Sequence, residues 1–195
     1  MRVSQKEWVP EVTLEAMRRI SAHAEKVGPT NTDEFTFRAF FMAAAYDAAE
    51  GQGLEKTLRF QTEWHRFDLL VQLADVPMLI EFKYYVIRRT LDLDGKRRDF
   101  KGGPGPQNLS EFHAALRGLR AGDLYGVSQH RLIVVYLRDD ALPKGQSWHK
   151  TFGGLQPDFS IAQVWQCASG PFEARILEPT NPLPPGSSPG ALTTP

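Results

Sequence analysis

Phe67-Asp68-Leu69-Leu70-Val71 and Met78-Leu79-Ile80-Glu81-Phe82-Lys83-Tyr84 are the two stretches whose reading decides the fold. Both are rich in strand-forming apolar residues, and Asp75-Val76-Pro77 between them reads as a turn, so adjacent strands are expected. Successive side chains on a strand point to opposite faces. Ile80, Phe82 and Tyr84 therefore share one face, and Leu79, Glu81 and Lys83 share the other. A charge inside an apolar strand is costly unless it is paired or holds a metal. Asp68 poses the same problem one turn away, and pairing of the two strands brings it towards Glu81 and Lys83.

Two carboxylates and an ammonium at one sheet edge have a chemical use. Carboxylates and a backbone carbonyl suit Mg²⁺, a hard cation that takes oxygen ligands and keeps water. A lysine beside them can orient or activate water and offset charge developing on a phosphate. Phosphodiester hydrolysis needs that set of parts.

Working outward, residues 10–26 read as a helix with Leu14, Met17, Ile20 and Ala24 on one face. A second helix is expected from Asn31 or Thr32, as cap, to about Ala49, apolar nearly all round and so largely buried. Strands fill residues 57–86. A long polar segment, 87–106, precedes a third helix from Asn108 or Ser110 to Arg120. Residues 132–137, Leu-Ile-Val-Val-Tyr-Leu, have the unbroken apolar content of a central strand covered on both faces. Weaker strand candidates lie at 161–165 and 172–177. The expected architecture is a single α/β domain over residues 1–178, a central mixed β-sheet flanked by helices. Residues 179–195 are uncharged and hold six of the 14 prolines, which suggests a disordered tail.

Composition narrows the function classes. The 195 residues carry 23 basic and 23 acidic side chains, so bulk charge does not draw the protein to nucleic acid, although a local patch still can. The single cysteine, Cys167, excludes a disulfide framework and a cysteine-rich zinc site. No membrane-length apolar run and no signal-like apolar core near the N-terminus are present, so a cytoplasmic protein with no membrane partner is expected.

Asp68, a spacer and then Glu81-Phe82-Lys83, placed on adjacent strands after one helix and before another, resembles the core of the PD-(D/E)xK nuclease superfamily, the restriction-endonuclease-like proteins. The resemblance covers residues 33–138, about half the chain. It implies a restriction-endonuclease-like core, Mg²⁺ (or Mn²⁺) held by Asp68, Glu81 and the carbonyl of Phe82, and Lys83 acting on the attacking water. It also implies an auxiliary glutamate on the preceding helix, for which Glu34 matches and Glu63 competes, and a polar residue opening the following helix, Gln107 or Asn108. Phe67 stands where the family's naming proline belongs, and the 86–106 segment is longer than in the shortest members. The implied activity is metal-dependent hydrolysis of phosphodiester bonds, in DNA by preference, with homodimerisation open. The alternative is a catalytically silent nuclease-like domain that binds nucleic acid or a protein.

Between Lys83 and Lys101 seven basic residues face three acidic ones. Arg88, Arg89, Arg97, Arg98 and Lys101, with Gln107, form the expected phosphate-contacting surface, against the simpler reading of a solvated loop. Glu81 and Lys83 read alone would be a cross-strand ion pair. Glu34 equally suits a helix N-terminus as plain charge. Tyr84 and Tyr85 are more readily packing residues than base-stacking ones. The glycine- and proline-rich stretch 101–106 lacks the lysine and hydroxyl ending of a phosphate loop and reads as a hinge. His65 lies near Asp68 in sequence and could line the site, and an exposed or structural role is the simpler expectation.

Overall fold

Among the described residues, three α-helices and eight strands follow from where apolar residues need cover. The computed structural model describes residues 8–86, 88–91, 97–100, 106–138, 140 and 161–179. Helix α1 spans Trp8–Val27 and α2 spans Glu34–Glu50. Strands β1 (Arg59–Trp64), β2 (Phe67–Leu73) and β3 (Val76–Tyr85) form an antiparallel meander. The short strands β4 (Arg88–Leu91) and β5 (Arg97–Phe100) pair in a separate hairpin. Helix α3 (Pro106–Arg120) leads through a 3-10 turn, Ala121–Tyr125, into β6 (Gln129–Leu137). Strands β7 (Ile161–Ser169) and β8 (Phe172–Pro179) complete the main sheet.

Among the described residues that sheet has six strands in the order β1-β2-β3-β6-β8-β7, and only β3 and β6 run parallel. The α/β architecture with a mixed, helix-flanked sheet is therefore observed. Alternation divides the core into two layers. Ile80 and Phe82 of β3 and Ile133 and Val135 of β6 pack with Met17 and Ile20 of α1 and Phe37 and Phe41 of α2. Leu79 and Tyr85 of β3 and Leu132, Val134 and Tyr136 of β6 pack with Phe112, Leu116 and Leu119 of α3. From His130 to Leu137 every residue of β6 is buried, because both faces are covered. Among the described residues no helix is long and apolar enough to cross a membrane.

Several boundaries differ from expectation. Asp33, not Asn31 or Thr32, caps α2, its carboxylate accepting the Thr36 N–H at 2.8 Å. The apolar content of α2 is not all buried, since Phe35 and Tyr46 are exposed, with Phe35 under the Arg38 guanidinium. The β2–β3 turn is Ala74-Asp75, with φ 48° and 67°, and Val76 and Pro77 belong to β3. Pro77 is tolerated because it precedes the first β3–β6 pair, Met78↔Gln129, so β3 is bonded on one side only there. Within the polar segment the chain forms the β4–β5 hairpin instead of a loop. Helix α3 begins two residues before Asn108, at a proline, whose missing N–H is no loss in the first turn. Lys101, the 101–105 part of the expected hinge, the first seven residues and the expected tail from residue 180 lie outside the described residues.

Candidate functional site

The ladder between β2 and β3 runs from Leu73↔Val76 to Leu69↔Ile80 and stops there. Beyond that point two carboxylates take over the backbone's hydrogen bonds. Asp68 Oδ2 accepts the Phe82 N–H at 2.7 Å, and Glu81 Oε2 accepts the Asp68 N–H at 3.3 Å. The acids thus fasten the strands where they part, and both side chains stay largely buried, 15% and 14% exposed. Lys83, on the same face as Glu81, donates to Glu81 Oε1 at 2.8 Å and to the Phe82 carbonyl at 2.9 Å. Asp68, Glu81, Phe82 and Lys83 are therefore brought together as expected.

Glu34 enters from the start of α2. Its Oε2 accepts the Tyr84 N–H at 3.2 Å, on the stretch of β3 that β2 no longer pairs. Arg38, one helical turn on, stands beside Asp68. Its Nη1 donates to the Asp68 carbonyl at 3.2 Å and lies 3.6 Å from Asp68 Oδ1. The same guanidinium holds Glu63 at 2.6 Å. Glu63 is mostly exposed and tied to Arg38, while Glu34 belongs to the largely buried acid group.

The charges inside this group are displaced from their ordinary behaviour. Burial, then the neighbouring Asp68 and Glu81 charges, push the Glu34 carboxyl up to about 7 against the partial relief of Lys83 and the Tyr84 N–H. Burial also raises Asp68, opposed by the Phe82 N–H, Lys83 and Arg38. It raises Glu81 too, opposed chiefly by Lys83. Burial works to lower Lys83, but the Glu81 charge and hydrogen bond, with Glu34 and Asp68, outweigh it and carry the ammonium above its ordinary value. Lys83 is a firmly protonated cation among crowded acids.

Beside the group lies a cleft of about 570 Å³. Glu81 and Lys83 form one side, Ala114, Ala115 and Gly118 of α3 another, and His65, Arg66 and Tyr125 its rim. The 3-10 turn carrying Tyr125 lies close because Gly122 packs against Leu79 and His130, where a Cβ would collide with both side chains. Arg38, Arg66 and Tyr125 were not singled out from the sequence. The position of Arg38 one turn after Glu34 was a usable signal. Arg66 and Tyr125 come to the same cleft only through the tertiary fold. His65 is exposed, as expected, and also lines the cleft.

The expected nucleic-acid contacts fare unevenly. Arg88, Arg89, Arg97 and Arg98 lie on the β4–β5 hairpin, in a register that opposes Arg89 to Asp99 and Thr90 to Arg98. Strand β4 runs beside the 3-10 turn Pro29–Asn31 that leads into α2, on the approach to Glu34. Gln107 is exposed at the start of α3, with Glu111 as partner, and does not line the cleft, while Asn108 is buried. Tyr84 and Tyr85 pack as expected: Tyr84 meets Phe37 and Phe172 and shares a hydrogen bond with Thr32, and Tyr85 donates to the Asn108 carbonyl.

Among the described residues no group of three or more His, Cys, Asp and Glu side chains is arranged to hold a metal ion. Comparison with known proteins returns nothing: no family model, no curated protein and no solved structure matches the chain.

Proposed function

We propose that the chain is a metal-dependent nuclease with a restriction-endonuclease-like core, hydrolysing phosphodiester bonds in nucleic acid, DNA by preference. One observation carries the reading. Asp68, Glu81 and Lys83 converge, largely buried, where β2 leaves β3, and both acids are held by backbone N–H groups. Fold stability alone would be served as well by apolar residues, because burying three charges is costly.

The donor set fits a hard divalent cation. Asp68, Glu81 and the Phe82 carbonyl offer oxygen only, which suits Mg²⁺ or Mn²⁺ better than a soft metal. When bound, such an ion supplies positive charge to the scissile phosphate and relieves the crowding of the acids. The chain's own groups do the rest. In hydrolysis a water oxygen bonds to phosphorus, the bond from phosphorus to the sugar oxygen breaks, and a proton leaves the water. Lys83, held protonated, orients that water and offsets charge on the phosphate and is not the base. Glu34, set against Asp68 and Glu81 and accepting the Tyr84 N–H, assists from the start of α2. Arg38 and the Phe82 N–H fix Asp68.

One observation favours a silent binding domain as second reading. The Lys83 ammonium is already bonded to Glu81 Oε1 and the Phe82 carbonyl, two oxygens that a metal would need. Calorimetric titration of Mg²⁺ and Mn²⁺ into wild type and Asp68→Ala, with nicking of supercoiled plasmid by wild type, Glu81→Gln and Lys83→Ala, separates the two. The nuclease reading expects carboxylate-dependent binding and a loss of nicking by about 10²–10³-fold in Lys83→Ala. Full activity in both Glu81→Gln and Lys83→Ala refutes the mechanism.

A further inference from the structure

The mouth of the cleft is built from residues that the hydrolytic chemistry does not require. His65 and Arg66 form a two-residue turn between β1 and β2, closed by the pair Trp64↔Phe67. Both have left-handed backbones, φ 47° and 73°, where asparagine and glycine are the inexpensive choices. Two bulky side chains are kept there despite the strain, at the rim of a functional cleft. The His65 ring stacks on Tyr125 with centroids 4.5 Å apart and planes 19° from parallel, and Trp64 meets both rings edge-on. His65 and Tyr125 remain exposed.

The lining selects an occupant. Arg66 and Lys83 are matched by Glu81 and Glu111, so a continuous phosphate backbone would meet as many acids as bases. Past Glu111 the α3 wall is formed by the small residues Ala114, Ala115 and Gly118, and an added Cβ at Gly118 meets no atom within 4 Å. The volume lies within the range of about 300–1,000 Å³ usual for small organic ligands. An aromatic shelf, a wall of small apolar residues and the Arg66 cation at the rim suit a flat base with one phosphate. A duplex, whose bases are stacked away inside, presents no such group.

We propose that this cleft receives a single unstacked nucleotide of single-stranded or locally opened nucleic acid, its base laid on the His65–Tyr125 pair and its phosphate met by Arg66. Placing that nucleotide next to the scissile bond rests on the nuclease reading above; the binding itself does not.

The test is fluorescence anisotropy of a labelled single-stranded oligonucleotide and of its blunt duplex, in chelator, with the full chain. Wild type binds the single strand more tightly than the duplex. Tyr125→Ala weakens single-strand binding about tenfold, in line with the loss of one stacked base, and Tyr125→Phe restores it. Gly118→Leu, which fills the cleft from an unstrained helical position, weakens it as well, with an unchanged circular-dichroism spectrum. Equal affinity for duplex, or unchanged single-strand binding in both folded Tyr125→Ala and Gly118→Leu, overturns the proposal. The two readings fail separately. Stacking-dependent binding without Lys83-dependent cleavage removes the nuclease and keeps this site. Lys83-dependent cleavage of duplex, indifferent to Tyr125, does the reverse.

Discussion

Replacing Glu34 with glutamine should stabilise the metal-free protein, and by an amount that depends on pH. The side chain sits against Asp68 and Glu81 and accepts the Tyr84 N–H. Glutamine keeps an acceptor for that N–H and removes the charge. The folded-state value of about 7 against an ordinary 4.5 means that the native protein binds this proton more tightly than the unfolded chain does. The stability from this group is therefore complete below about 4.5, declines as pH rises, and is lost once pH passes about 7. At about 1.4 kcal/mol per pH unit, the gap is worth roughly 3 kcal/mol at pH 8 and under about 1 kcal/mol at pH 5. For a chain of this length roughly 3 kcal/mol corresponds to about 6–12 °C in Tm. Urea and thermal unfolding of wild type and Glu34→Gln in chelator, at pH 5 and pH 8, measure it directly. Equal gains at the two pH values, or none at pH 8, would show that charge crowding at Glu34 is not what strains the site.

Two further outcomes follow from neighbouring residues. Arg38→Met leaves the Asp68 carboxylate and carbonyl without their guanidinium and should cost about 2 kcal/mol in urea unfolding, with a drop in divalent-metal affinity as the less firmly held Asp68 reorients. The paired change His65→Asn and Arg66→Gly supplies the residues that a two-residue turn of positive φ prefers. It should raise stability by about 1 kcal/mol while weakening single-strand binding, and a gain in both properties would contradict the role given to the turn.

The part of the site legible in the sequence is the part governed by local periodicity. Alternation along β3 placed Glu81 and Lys83 opposite Ile80 and Phe82, and the structure divides them between the two faces in that way. The unbroken apolar run of β6 announced a strand buried on both sides. The rest depended on contacts that spacing does not encode. Asp75 and Pro77 marked the β2–β3 turn only to within a residue, and neither Ala74-Asp75 nor His65-Arg66 contains the glycine that announces positive φ, so the strand ladders on either side force their left-handed backbones. The charges of β4 and β5 masked strands as a solvated loop. Tyr125 reaches His65 only because Gly122 lets a 3-10 turn pack against β3.

The single parallel pairing in the sheet has a consequence for how the molecule assembles. β1, β2 and β3 are joined by two-residue turns, and so are β7 and β8, so each group gains its contacts cheaply, with little chain to close. The β3–β6 pairing must instead wait for residues 86–128 to loop round, a slower and entropically dearer event. Asp68, Glu81 and Lys83 all lie within the locally closed meander. Loop closure thus predicts that the acid pair meets before β6, whose Leu132 and Val134 pair with Glu81 and Lys83, has docked, the charged cluster being assembled in water and then sealed into the sheet.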